Sequence, residues 1–316
     1  MKIIDLHCDT IYKIYHEKKG NLYQNSYSVD IKKLIKGNYI GQFFALFIDK
    51  EWIKKNNLDI YQHLKELYKV FIHQIKTNEK YIKLAKNYND LTNNILENKL
   101  SAFLTVEEGG FLQGNLERLD EFYKLGLRLI TLTWNYENSI GYPNSRDKNI
   151  MSKGLKPFGF EVIERMNELG IIIDVSHLSD GGFYDCINHS KKPIIASHSN
   201  ARALRNVPRN MSDDMLRLLG EKGGVIGINF APDFLGIDGV SRVEYMVKHI
   251  KYIVNISGIE ALSLGTDFDG ITGKLEINNS GDMDKLIYSL AKSGFNSSEI
   301  EKISFENAAR IIKECL

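Results

Sequence analysis

The sequence predicts an α/β fold, a parallel (β/α)8 TIM barrel, from three observations. Eight apolar runs of strand length recur from end to end, helical patterns separate most of them, and the runs are nearly continuous in Ile, Val and Leu. Parallel strands are buried on both faces and each needs a crossover, which accounts for unbroken apolar runs alternating with helices. A doubly wound open sheet is the runner-up.

The first run is KIIDLH (residues 2–7), extended by CDT. Asp5, His7 and Asp9 take every second position, so strict alternation gives them one face and Ile4, Leu6 and Cys8 the other. YIGQFFALFI (39–48) is the second run. In DIYQHLKELYKVFIHQI, Ile60, Leu64, Leu67, Phe71 and Ile75 then recur at helical steps of three and four. LSAFLTVE (100–107) precedes the helical NLERLDEFYKLG, and LRLITLTW (127–134) precedes residues 135–156, which lack apolar periodicity. A loop of that length following a strand belongs at the rim where barrels carry their active sites. PFGFEVIERMNELG reads as a helix, IIIDVSH (171–177) and PIIASH (193–198) as strands, and SDDMLRLLGEKGG as a helix capped by Ser212 with Asp213 and Asp214 in its first turn. Each of the last three helical segments closes on a glycine suited to a left-handed C-cap. GVIGINF (224–230) and ALSLGTD (261–267) complete the eight strands. No repeat or linker divides the chain, so residues 1–316 are expected to form one barrel domain.

A formal charge of +1 supplies no electrostatic reason to expect nucleic acid or an acidic membrane as partner. The N-terminus lacks a signal-peptide pattern, no apolar stretch approaches the ~18 residues of a membrane span, and the C-terminus carries no lipidation motif. The expectation is a cytoplasmic protein without a membrane anchor. Three widely spaced cysteines, Cys8, Cys186 and Cys315, do not suggest a disulfide framework.

Ionisable residues gather where the runs end: His7 and Asp9, Glu107 and Glu108, His177, His198, then Asp267 and Asp269. In a parallel barrel these ends meet at one rim. Imidazoles and carboxylates together suit a divalent metal, zinc above all, and a bridging carboxylate lets such a set hold two ions. Two cations ~3.5–4 Å apart acidify a shared water and clamp an attacked oxygen, which is hydrolytic chemistry. A lone histidine at a strand end is more often a hydrogen-bonded structural residue than a ligand. Three at compatible ends are not easily coincidence. His16, His63, His73, His189 and His249 fall in helical or loop contexts and read as packing or surface residues. Asp5 reads as a supporting acceptor, and Cys8 as pointing away from the metal face.

The stretches DLHCDT, TVEEGG, LGLRLITLTW, GIIIDVSH, IIASHSNARAL, RNMSDDML and GTDFDG, in this order, resemble the membrane (renal-type) dipeptidases, zinc peptidases of the metal-dependent hydrolase superfamily. The resemblance runs along essentially the whole chain and implies a (β/α)8 barrel with two Zn2+ ions. It implies His7 and Asp9 on one ion, His177 and His198 on the other, and Glu107 as the bridge. Alternation lets only one of Glu107 and Glu108 face the pocket, and an ungapped match through LGLRLITLT favours Glu107. Asp267 matches the family's acid/base aspartate, and Arg209 the arginine that receives the substrate's terminal carboxylate, a charge-assisted contact worth roughly 1.5–3 kcal/mol. Asp269 and Arg205 match no assigned role. Where animal dipeptidases have a substrate-contacting histidine, this chain has Trp134, which has one donor and does not titrate. Asn135, Tyr136 and Tyr142 on the long loop are the neighbours that could compensate, with Asn135 and Tyr136 counted beside Trp134 as substrate-binding candidates.

The expectation is therefore a metallo-dipeptidase that hydrolyses the peptide bond of dipeptides, including those with a C-terminal D-residue, by attack of a metal-bridging hydroxide. Two rival readings follow from the same residues: a binuclear amidase, deacylase or lactonase acting on another small carboxylate-bearing molecule, and a non-catalytic metal-binding barrel. The resemblance also admits a homodimer.

Overall fold

The computed structural model describes residues 1–316. Its strands are β1 Ile3–Cys8, β2 Tyr39–Phe47, β3 Ile82–Leu84, β4 Leu100–Glu107, β5 Leu127–Thr131, β6 Ile172–Asp174, β7 Ile195–Ser199, β8 Val225–Ile228, β9 Val240–Ser241, β10 Leu262–Leu264 and β11 Lys274–Leu275. Eight pair in parallel in the order β2-β1-β10-β8-β7-β6-β5-β4, and β4 pairs back onto β2 from Gly41–Ser101 to Phe47–Glu107, closing the barrel. Each of the eight apolar runs supplies one barrel strand. Three short strands are additional. β3 covers the first residues of β4, which β5 joins only from Leu104 onward, and β9 and β11 form a separate two-stranded ribbon. Segments of two or three residues carry no periodicity from which to predict them.

The core has two layers. Ile4, Leu6, Phe43, Phe103, Leu129, Ile172, Ile195 and Val225, drawn from seven barrel strands, fill the interior, with the Phe43 and Phe103 rings stacked at 4.6 Å. The helix Asn307–Cys315 adds Ala308, Ile311 and Ile312 to this cluster and plugs the end of the barrel where the strands begin. A larger cluster lies between the strands and the surrounding helices. The helix Ile60–Thr77, capped by Asp59, packs Ile60, Leu64, Leu67, Phe71 and Ile75 into it. The helices Glu117–Leu125 and Pro157–Leu169 end on left-handed Gly126 and Gly170. Ser212 caps Asp213–Glu221 by accepting from Met215 N, and left-handed Gly223 follows the capping Lys222. No helix is long and apolar enough to cross a membrane. Cys8, Cys186 and Cys315 are buried and unpaired.

β1 departs from strict alternation. Leu6 packs in the interior cluster and Cys8 in the outer one, although the two-residue period assigns them one face. The pairing of β1 with β2 shifts register between Asp5 and Cys8. Asp5, fully buried, accepts from His7 N (3.3 Å), Thr266 N (2.9 Å) and Thr266 Oγ1 (2.7 Å), so its carboxylate serves backbone groups where the ladder is interrupted. The irregularity separates Asp5 from His7 and sends the imidazole into the open end of the barrel.

Candidate active site

The polar ends of the strands meet at that open end. His7 lies on β1, Asp9 at the start of the helix Thr10–Glu17, Glu107 at the end of β4, His177 beyond β6, His198 on β7 and Asp267 beyond β10. His177 (φ 67°) and Asp267 (φ 61°) hold left-handed backbone conformations. Such strain costs on the order of 1–3 kcal/mol per residue and persists where surrounding structure enforces it.

Glu107 is central. Its Oε2 is 3.3 Å from His7 Nε2, which is 3.4 Å from Asp9 Oδ2. Its Oε1 is 3.2 Å from His177 Nε2 and 3.4 Å from His198 Nε2. The two carboxylate oxygens therefore serve two separate groups of ligand atoms, His7–Asp9–Glu107 and Glu107–His177–His198. A further combination, His7–His198–Asp267, is also within ligand range.

The hydrogen-bond pattern fixes what these histidines present. Asp174 Oδ2 accepts from Ser197 Oγ, whose remaining capacity is to accept from His198 Nδ1 at 2.6 Å. His177 Nδ1 faces Asn135 Oδ1, an acceptor, at 3.2 Å. Both rings thus carry their proton on Nδ1 and turn Nε2 lone pairs inward, with the two Nε2 atoms 3.1 Å apart. Two lone pairs at that separation repel unless a cation lies beside them. His7 Nδ1 and Nε2 and Asp9 Oδ1 are likewise buried with no hydrogen-bond partner. These observations fit a divalent metal centre, and the oxygen and imidazole donors are those that hard and borderline cations take.

Electrostatics agree. Burial, with Arg209 nearby, lowers His177 to about 4, and burial with His7 and Arg209 lowers His198 well below the usual imidazole range, so both are neutral, as ligands must be. Burial pushes Glu107 up, but His7 and the hydrogen-bonding imidazoles outweigh it and hold the carboxyl well below its usual range. Burial lowers His7, but Glu107 and Asp9 overcome that and raise it well above its ordinary value. Among protein groups alone, a proton on His7 balances the carboxylates; a cation would displace it. Burial also raises Asp9 to about 6 and Asp267 to about 8, the latter reinforced by Asp9 and Glu107. Asp267 Oδ2 accepts from Asn229 Nδ2 (2.9 Å), which holds it beside His7.

The centre forms the floor of a cavity of about 880 Å³. Arg209, 7% exposed, lines it, donating to Ser199 Oγ and His198 O at 2.7 Å each while its Nε is buried without a partner. Trp134 and Asn135 line the cavity too. Tyr136 does not; its ring packs against Trp134 at 5.4 Å. Tyr142 lies under Lys153 and Lys156 and also stays outside the cavity lining. Asp269 lines the cavity and ties Thr10 Oγ1 (2.6 Å) and Ser28 N (2.7 Å) together. Arg205 reaches the same cavity from the loop that carries Arg209.

Glu108 is fully buried but turned away from the ligand cluster. It accepts from Gly110 N (2.7 Å), Trp134 N (2.8 Å) and Asn138 Nδ2 (2.6 Å), with Lys50 Nζ at 3.3 Å. Asn229, Ser197, Asp174 and Glu108 are the supporting residues that sequence reasoning missed as such. Asp174 and Ser197 stood within predicted strands three and one residues from a histidine, which is the single signal available.

Residues 1–315 match the family described as membrane dipeptidase, peptidase family M19. An uncharacterised dipeptidase of Schizosaccharomyces pombe is 31% identical over 292 residues, covering 85% of this chain and 69% of that protein. An uncharacterised protein of Klebsiella pneumoniae is 36% identical over 228 residues, 69% of this chain and 83% of that protein. Among solved structures, a metallopeptidase from Rhodobacter sphaeroides, liganded with a phosphinate mimic of the dipeptide L-Ala-D-Ala, superposes with a TM-score of 0.90 at 21% identity, covering 100% of this chain and 99% of that one.

Proposed function

The chain belongs to the membrane dipeptidase family, peptidase family M19, and from that premise we propose that it hydrolyses the peptide bond of dipeptides at a centre of two zinc ions. His7 and Asp9 would hold one ion, His177 and His198 the other, with Glu107 between them. The observation that carries the reading is the division of Glu107, one oxygen toward each ligand group. Two zinc ions so held would acidify a water and polarise the scissile carbonyl.

The protein groups supply the rest. Asp267, buried and with its affinity for a proton raised, is suited to accept the proton of the attacking water and return it to the departing amine. Asn229 fixes which oxygen of Asp267 remains available. The partnerless Nε of Arg209, with the unused N–H groups of its two Nη atoms, suits a substrate carboxylate, and the guanidinium thereby limits substrate length. Asn135 and the Asp174–Ser197 pair hold His177 and His198 in the ligating tautomer. Trp134 in the cavity wall favours testing a second substrate class, N-acyl amino acids or lactones, beside dipeptides.

The experiment is a zinc-supplemented assay across dipeptides with L or D C-terminal residues, N-acyl amino acids and lactones, run on wild type and Asp267→Asn. Dipeptide turnover is expected, with kcat reduced by roughly 10²–10⁴ in the variant and metal content retained. Turnover confined to N-acyl amino acids or lactones would move the assignment to the second class, and full activity in Asp267→Asn would remove that residue's role.

A further inference from the structure

We propose that Phe47 and Trp134 form the pocket for the side chain of the substrate's N-terminal residue, and that they make the enzyme selective for dipeptides with a large apolar or aromatic residue there. The inference rests on the dipeptide reading above. It begins with the order of strands around the mouth: β1, β2, β4, β5, β6, β7, β8, β10. Phe47 ends β2 and Trp134 follows β5, with Glu107 of β4 between them. Arg209 follows β7, which stands four places from β2 and so across the ring, and its guanidinium reaches Ser199 and the His198 carbonyl. Phe47 thus stands across the ring from the carboxylate anchor, and Trp134, after the strand two places from β7, joins the same wall through its contact with Phe47. A dipeptide held by its carboxylate at Arg209, with its peptide carbonyl over Glu107, directs its N-terminal half toward Phe47 and Trp134.

The two rings are built as a fixed wall. They pack edge to face at 4.9 Å, and both line the cavity. Tyr12 continues the wall, its ring 5.2 Å from Phe47. Trp134 is held from behind by Tyr136 and through its backbone N–H, which donates to the buried carboxylate of Glu108. On its other side the indole lies 6.2 Å from the His177 ring, next to the chemistry. An indole neither titrates nor accepts hydrogen bonds, so what it offers a substrate is chiefly apolar surface and a π face. The cavity, about 880 Å³, lies in the upper part of the range for small-molecule sites and has room for a bulky side chain.

The test uses two phosphinate dipeptide analogues that differ only in a methyl or benzyl N-terminal side chain. Binding is measured to the zinc-loaded wild type and to W134A, F47A and W52F. The chain has only two tryptophans, so W52F isolates the emission of Trp134. The benzyl analogue is expected to bind roughly 10-fold or more tighter than the methyl one and to shift the Trp134 emission. That ratio should survive in W52F and fall to within roughly 3-fold in W134A and F47A. Equal affinities in wild type, a ratio unchanged in both cavity variants, or equal losses for the two analogues would overturn the pocket while leaving dipeptide hydrolysis standing. If neither analogue binds and no dipeptide is cleaved, the dipeptide reading itself falls and the pocket with it.

Discussion

Arg209 brings a positive charge into the barrel and leaves part of its fork unused, since Ser199 Oγ and His198 O take one bond each and Nε takes none. A charge-assisted contact from such a group is worth roughly 1.5–3 kcal/mol. Arg209→Met should therefore raise KM for dipeptides by roughly 10–100-fold and abolish discrimination between a dipeptide and its C-terminal amide, as steady-state kinetics on the two substrates would reveal. The neighbouring pair Glu107 and Glu108 illustrates how much one residue's direction matters. Glu107 faces three imidazoles, whereas Glu108, with φ at 99°, turns to bind Gly110 N, Trp134 N and the Asn138 amide. Glu108→Gln keeps the shape but sets an amide N–H₂ against one of those donors. The expected cost is about 1–3 kcal/mol, read from urea unfolding, with metal content retained.

Among the elements, the strand-to-helix connections hold the site most tightly. Gly270 follows Asp267 and Asp269 where a Cβ would lie 2.1 Å from Asp9 Oδ2 and 2.6 Å from Asp267 Oδ1. Gly270→Ala must displace carboxylates from the centre, so metal retained after dialysis should drop, with affinity lower by on the order of 10-fold or more. The helix Val243–Ser257 docks through His249, which is buried, accepts from Ala201 N at Nδ1 and donates to Leu235 O from Nε2. Burial is the main cause that lowers this imidazole from 6.5 to about 4. The unfolded chain therefore binds the proton more readily than the folded one. Stability from this group is fully present above pH 6.5 and is lost as pH falls toward 4, by up to about 3 kcal/mol. Urea midpoints across that window should show the loss in wild type and a flatter acid limb in His249→Gln. β1 shows where sequence reasoning at this scale stops. Its period of two is legible, but the register shift between Asp5 and Cys8 is not, because it depends on how β2 and the Thr266 segment pair with it.

For the whole molecule, the two apolar clusters and the closed strand ring hold the barrel without help from the ligand residues, which occupy one open end. Chelation should therefore leave the far-ultraviolet circular dichroism in place while lowering Tm. At a metal concentration ~1,000-fold above Kd, binding contributes about 4 kcal/mol, or on the order of 5 °C or more; an unchanged Tm after chelation would argue against metal at this centre. The sequence by itself determined the eight strands, four of the helices between them and the polar strand ends, because periodicity and capping are local properties. Only the tertiary structure decided that Glu107 divides its oxygens between two groups while Glu108 turns away. It also set Asp174, Ser197 and Asn229 behind the ligands, Trp134 against Phe47, and Tyr136 outside the cavity. Those outcomes depend on barrel closure, on the β1 register shift, and on left-handed turns at His177 and Asp267. They join residues up to 261 positions apart in sequence, as in the Asp5–Thr266 bond, and no local pattern encodes a distance of that kind.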